Sequence, residues 1–442
     1  MHKVFSRTPV RAAAAALVTV LIGALLTASP ASAAPPQAPG NFRGYGFDAC
    51  VAPSQKTMDT WNLTSPYSAI GIYISGNSRY CSDKYQPNLS KSWVQKNANN
   101  GWRFIPIHVG YQAPCFKNNP KSRVQKKRMS SNLSTARKQA VSDAKESVAA
   151  AKKYGFGSGT VLYLDIEWYS RSGSCDAVVL AFSESWTEYL HKVGYKSGLY
   201  SSGSAAIKAM DIQRAKNMSG YTLPDNMWIA WTNKVANTDG GPYLSDSGWK
   251  NHQRIHQYHN GVTVSYGGVK INIDKNFLDV GKGSVASAEP KPCGVKMSFA
   301  KYPSLKIGSQ GAEVAALQCL LKQRGLKKSV NGEFGRGTMS GVNKFRKSKG
   351  WAATNHVTRP TWTALLAEGR SPRVLKYGSV GSDVWRIQRS LTAATGKKQT
   401  INGKFESSTV NAVLAYRKKN KLPSYSTAES KVWSALNKGK LG

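Results

Sequence analysis

The stretch GTVLYLDIEWYS, residues 159–170, decides the fold. A run of β-branched and aromatic residues behind a glycine reads as a strand. Side chains alternate faces along a strand, so Leu162, Leu164 and Ile166 form one apolar, buried face. Asp165 and Glu167 then share the opposite face, roughly 6.5–7 Å apart along the chain. A strand that buries one face and aims two like charges from the other must look onto something open.

Working outward, strand-like runs recur at 44–50, 68–76, 102–110, 195–202, 226–233, 254–261 and 270–277. Between them lie helix-like stretches such as TARKQAVSDAKESVAAAKKYG (135–155) and VVLAFSESWTEYLHKVG (178–194). Each ends in lysine and glycine, a C-terminal signal. Alternation of strand and helix predicts an α/β fold, and eight strands in this span predict a (β/α)8, TIM-like barrel over residues 41–280. An open doubly wound sheet is the rival arrangement, but no glycine-rich nucleotide loop follows the first strand.

The ends of the chain differ in composition. Residues 1–33 pair a basic start and an apolar run with an A-x-A pattern, the form of a secretory signal peptide. They predict an exported, cell-wall-associated protein with no membrane segment after cleavage, and a monomer. Residues 281–298, GKGSVASAEPKPCGVKMS, read as a linker. The tail beyond it repeats itself: 302–321 aligns with 373–391, VNGEFGRGTMSGVNKF (330–345) with INGKFESSTVNAVLAY (401–416), and TWTALL with VWSALN. A period of about 70 residues suits two small domains, 299–369 and 370–440. Val314, Leu317 and Leu321 fall on one helical face, as do Val384, Ile387 and Leu391.

Net charge is +39, and roughly +23 of it lies from Lys291 onward. Such a field favours polyanions, and export points to anionic cell-wall polymers. Nucleic acid would rest on charge alone, since no binding motif is present, so none is expected as a partner. Six cysteines in an exported chain are compatible with disulfides, and none forms C-x-x-C. Loops that follow neighbouring strands predict Cys50–Cys81 and Cys115–Cys175, although these four could exchange partners. Cys293–Cys319 would staple the first repeat.

Catalytic residues of such barrels come from the C-terminal ends of strands. Asp48 ends the first strand, Asp165 and Glu167 the fourth, and Asp274 the eighth. The charge of Asp165 is expected to keep Glu167 protonated as a general acid, the arrangement of glycosidic chemistry. A carboxylate nucleophile, or a substrate 2-acetamido group oriented by Asp165, would stabilise the positive sugar. Tyr73, His108, Tyr200, Trp231, Gln257 and Tyr258 lie in or near the strands as substrate-binding candidates.

Two resemblances sharpen these expectations. Both tail units resemble the type 1 peptidoglycan-binding domain, a three-helix module, with Asn331 and Asn402 where that family has Asp in its D-G-x-F turn. The barrel segments GFD, YLDIEW, SGLYSS, MWIAWTN, HQYHNG and IDKNF resemble family 25 glycoside hydrolases, lysozymes that cut the N-acetylmuramyl bond. GFDACVAPS (46–54), IGIYISGNSRYC (70–81), PIHVGYQAPC (106–115) and LDIEWY (164–169) are more similar to a glycoside-hydrolase-like family numbered 1906 among domains of unknown function. The resemblance implies Glu167 as acid, Asp165 as orienting group, and Asp48 and Asp274 as further carboxylates. Peptidoglycan is the implied partner.

Other chemistries have weaker claims. HQRIHQYH offers His252, His256 and His259, but on a strand these scatter between faces, so neither metal nor cofactor is expected. No G-x-S-x-G elbow supports a serine hydrolase. The principal rival to a muramidase-type hydrolase is a non-catalytic glycan-binding barrel.

Overall fold

A computed structural model describes residues 37–122, 124–216, 219–370 and 373–442. The expected signal peptide lies outside them. Eight strands close a barrel in sequence order: β1 (Phe42–Asp48), β2 (Ala69–Ser75), β3 (Arg103–His108), β4 (Val161–Ile166), β5 (Lys196–Ser202), β6 (Asn226–Ala230), β7 (Gln253–Tyr266) and β8 (Val269–Val280). Helices α1 (Gln55–Thr64), α2 (Lys91–Asn99), α3 (Leu133–Tyr154), α4 (Gly173–Lys192) and α5 (Lys208–Ala215) cover it. Ser54, Ser90, Asn132 and Ser172 begin the first four, each side chain accepting a first-turn N–H.

Alternation sorts the strand side chains as expected. Leu162, Leu164 and Ile166 pack outward against the helices. Phe42, Ile105, Ile107, Tyr163, Trp228, Ile255 and Leu278 form a separate cluster with Ala69 and Val280. These fill the barrel interior below the carboxylates.

The closure differs from eight repeated βα units. Strands β1 to β7 run parallel, whereas β8 is antiparallel to both neighbours. The last two strands form a long hairpin turning at Gly267 and Gly268, both at positive φ. Paired glycines suit a two-residue hairpin turn. Asp274 therefore lies within β8 rather than at its end, yet it faces Asp48 directly across the β1–β8 ladder. It reaches the mouth by the opposite strand direction.

Two three-helix units follow: α6 (Ala312–Lys322), α7 (Arg336–Ser348) and α8 (Arg359–Ala367), then α9 (Ser382–Thr395), α10 (Ser407–Lys419) and α11 (Ser430–Asn437). One buried glutamine organises each. Gln318 accepts from the backbone N–H groups of Asn331 and Gly332 and donates to the carbonyl of Glu333 and the hydroxyl of Thr338. Gln388 repeats this with Asn402, Gly403, Lys404 and Thr409. Asn331 and Asn402 also take the N–H two residues on, so asparagine serves this turn.

The second repeat is seated on the barrel end opposite the mouth. The Lys376 ammonium donates to the carbonyls of Asn62 (2.9 Å) and Tyr67 (2.7 Å) and lies 4.9 Å from the Trp102 ring centre. Thr427 donates to Leu63 O. Asn62 and Leu63 are in the last turn of α1, whose carbonyls lack intrahelical partners and attract cations. Tyr377 packs edge-on against Tyr45. The linker is held too: Ser284 donates to Gly378 O, and Glu289 pairs with Arg389 at 2.9 Å. Disulfides join Cys50–Cys81, Cys115–Cys175 and Cys293–Cys319.

Candidate functional site

Asp48, on the last residue of β1, is the most densely bonded carboxylate at the mouth. It accepts from Asn276 Nδ2 (2.6 Å), Tyr73 Oη (3.2 Å) and Gln257 Nε2 (3.3 Å). Gly71 makes room for it: a Cβ there would come within 2.6 Å of the Asp48 Cβ. Burial first, then the facing charge of Asp274, pushes Asp48 up to about 7 against those three hydrogen bonds. Burial also raises Asp274, while the Gly261 N–H holds it down. Two carboxyls in register on adjacent strands act as a pair that keeps a proton.

Asp165 and Glu167 take different environments. Asp165 is buried, and its Oδ1 has no hydrogen-bond partner among the described residues. Burial, then the charge of Glu167, raises Asp165 well above the usual carboxylate range, with Lys126 opposing. Glu167 stands just beyond β4 with a 40 % exposed side chain and forms an ion pair with Lys126 at 2.5 Å. The two acids thus differ: Asp165 is the proton-retaining carboxyl, and Glu167 is the exposed member, paired with Lys126.

Tyr73 and Tyr200 join the acids. Tyr200 donates to Gln257 Oε1 at 3.0 Å, which links it through Gln257 to Asp48. Burial, then the surrounding carboxylates, keeps both phenols protonated and able to donate. The structure therefore brings together Asp48, Asp165, Glu167, Asp274, Tyr73, Tyr200 and Gln257.

Three candidates lie elsewhere. His108 points outward beneath α3 and α4, with Ser75 on Nδ1 (2.8 Å), Asp143 3.3 Å from Nε2 and Trp186 against its ring. Nearby Glu146 accepts from Gly76 N, so this group ties α3 to the strand ends. It is a correction to the mouth position expected of His108, because an even step from Phe104 places it on the outer face. Tyr258 is likewise buried off the interior face, near His256. Trp231 stacks on His256 and packs against Tyr243 in the loop after β6. Of the nearby histidines, His252 pairs with Asp279, and His256 is held by the carbonyls of Trp231 and Asn237.

Three residues were not anticipated. Asn276 lies two residues from Asp274 and so on the same face, a signal available from alternation; it also accepts from Trp228 Nε1. Gln112 donates to Asp165 O and accepts from Glu167 N, fixing the backbone on both sides of the acid pair. Lys126, like Gln112, comes from the irregular segment between β3 and α3, where no periodicity marks it.

Comparison with known proteins places this barrel. Residues 59–278 match the family described as Rv2525c-like, glycoside hydrolase-like domain, and residues 310–365 match a putative peptidoglycan binding domain. The chain thus carries a barrel belonging to the Rv2525c-like glycoside-hydrolase-like family, followed by a type 1 peptidoglycan-binding domain. Solved structures similar to it include the Tat-secreted protein Rv2525c of Mycobacterium tuberculosis in complex with L-tartrate, at 13% identity over 53% of this chain and 95% of that one, TM-score 0.37. A family 25 glycosyl hydrolase of Bacillus anthracis aligns at 17% identity over 54% of this chain and 89% of that one, TM-score 0.32. No curated protein matches the chain.

Proposed function

We propose that this protein is a cell-wall-directed glycoside hydrolase that cuts peptidoglycan glycan strands at the muramyl bond. The observation that supports it is the convergence of four carboxyl groups and two phenols at one open barrel end. Glu167, the exposed member, is the general acid that protonates the leaving oxygen. Asp165, neutral and with an unpartnered oxygen, hydrogen-bonds the sugar's 2-acetamido group and orients it against the developing positive charge. Asp48 and Asp274 hold a further proton behind it, and Tyr73 and Tyr200 supply hydroxyl donors. The peptidoglycan-binding domain supplies location, as does export through the amino-terminal signal.

The test is incubation of the protein with peptidoglycan, followed by mass analysis of the products and their reducing ends. Glu167→Gln is expected to cut the release of reducing ends by about 100-fold or more while leaving wall binding intact. Unchanged turnover in that variant removes Glu167 from the mechanism. One observation favours a second reading, a glycan-binding barrel without turnover: Glu167 is engaged by Lys126. Wild-type protein that binds peptidoglycan and releases no reducing ends from it, whether its peptides are present or removed, decides for it.

A further inference from the structure

Lys126 stands between the acid and its proton. An ion pair requires Glu167 as a carboxylate, whereas a general acid must enter the reaction protonated. The Lys126 side chain is 17% exposed, and its ammonium lies near Glu167 and the Phe116 ring, 5.8 Å away. Asp165, Asp274 and Tyr200 are the other titratable groups whose charges act together with Glu167.

The backbone around Lys126 is built for this placement. The Asn118 side chain accepts from Lys126 N (2.8 Å) and donates to Lys126 O (3.1 Å). Lys127 N is held by Ser78, and Gln112 makes backbone hydrogen bonds to Lys127 O and Met129 N. Cys115–Cys175 ties the same segment to α4. The pair is part-buried, and all of these bonds fix the backbone on either side of Lys126. So many restraints around one lysine therefore point to a task beyond stability.

We infer that Lys126 is a specificity-determining residue that reads a carboxylate on the glycan next to the bond to be cut, and in taking it releases Glu167. This rests on the hydrolase reading above. The exchange balances: the ammonium moves from the Glu167 carboxylate to the substrate carboxylate, and Glu167 takes one proton from the buffer acid. That proton then passes to the glycosidic oxygen as its bond to the anomeric carbon breaks and the 2-acetamido oxygen bonds to that carbon; water then displaces the acetamido oxygen and returns a proton to Glu167. In peptidoglycan, a carboxylate so placed is the lactyl group of a muramyl sugar whose peptide has been removed. With the peptide present, the group is a neutral amide. The reaction that must supply this substrate is hydrolysis of that amide.

The probes are two muramyl glycan oligomers of equal length, one with free lactyl carboxylates and one with those groups converted to simple amides. Isothermal titration in buffers of different ionisation enthalpy reads affinity and proton uptake together. Wild-type protein is expected to bind the free acid about tenfold tighter than the amide and to take up protons with the acid alone. Lys126→Met should bind both alike, and Lys126→Arg should keep part of the preference. Glu167→Gln should bind the acid without proton uptake. Equal wild-type affinities, or a preference that survives Lys126→Met in folded protein, overturns the inference. These binding experiments need no turnover. A preference seen without any release of reducing ends would leave Lys126 as an anion reader and defeat only the hydrolase reading.

Discussion

Asp48 is the residue at which the mouth trades stability for chemistry. Its carboxyl keeps a proton up to about pH 7, while an unfolded aspartate releases it near 3.8. Between those values the folded state binds more protons, so stability falls as pH rises through the window. Asp48→Asn keeps the shape and removes the charge. It is expected to raise stability above pH 7 by on the order of 4 kcal/mol, read as a higher melting temperature, with the gain vanishing below about pH 4. Thermal unfolding across pH checks this; a gain equal at all pH values would mean that burial is not taxing the ionised form. The carboxylates themselves were legible in sequence, because two-residue alternation separates Asp165 from Leu164 and Ile166. Lys126 and Gln112 were not, since a loop residue meets a strand end only through three-dimensional closure.

At the scale of elements, the β7–β8 hairpin and the β3–α3 segment carry the departures from a regular barrel. The hairpin was present in the sequence as Tyr266-Gly267-Gly268-Val269 between alternating runs, a strong turn signal. Reading 254–261 and 270–277 as separate parallel strands put Asp274 at the right end for the wrong reason. The outer part of the hairpin packs on α1, with Trp61 Nε1 donating to Val269 O and Tyr266 edge-on to Trp61. The β3–α3 segment depends instead on its disulfide, whose cysteines are 60 residues apart. Replacing both Cys115 and Cys175 by Ser should cost about 2–4 kcal/mol in chemical denaturation. If that segment positions Lys126, the double variant should also weaken binding of the lactyl carboxylate more than of its amide.

At the scale of the molecule, the second repeat forms part of the barrel's base. Burial lowers Lys376 to about 7, and its ammonium meets carbonyls and an aromatic face. The corresponding Lys306 of the first repeat is exposed, and Ile307 beside it is 55% exposed. Equivalent turns thus have different surroundings. Lys376→Glu places an anion against carbonyl oxygens and should detach the repeat, read as a larger radius of gyration and faster proteolysis of 281–298. An unchanged radius would show that Tyr377 and Thr427 suffice. Deleting 299–442 uncovers the same base, so it should lower the barrel's melting temperature as well as its retention on insoluble wall.

Chain order and spatial order therefore differ: the barrel is followed in sequence by the first repeat but rests on the second. The seat is at the end away from the carboxylates. The carboxylates and the second repeat thus occupy opposite ends of the barrel. The protein would work like a lamp on a bracket, fixed at one point and directed at another.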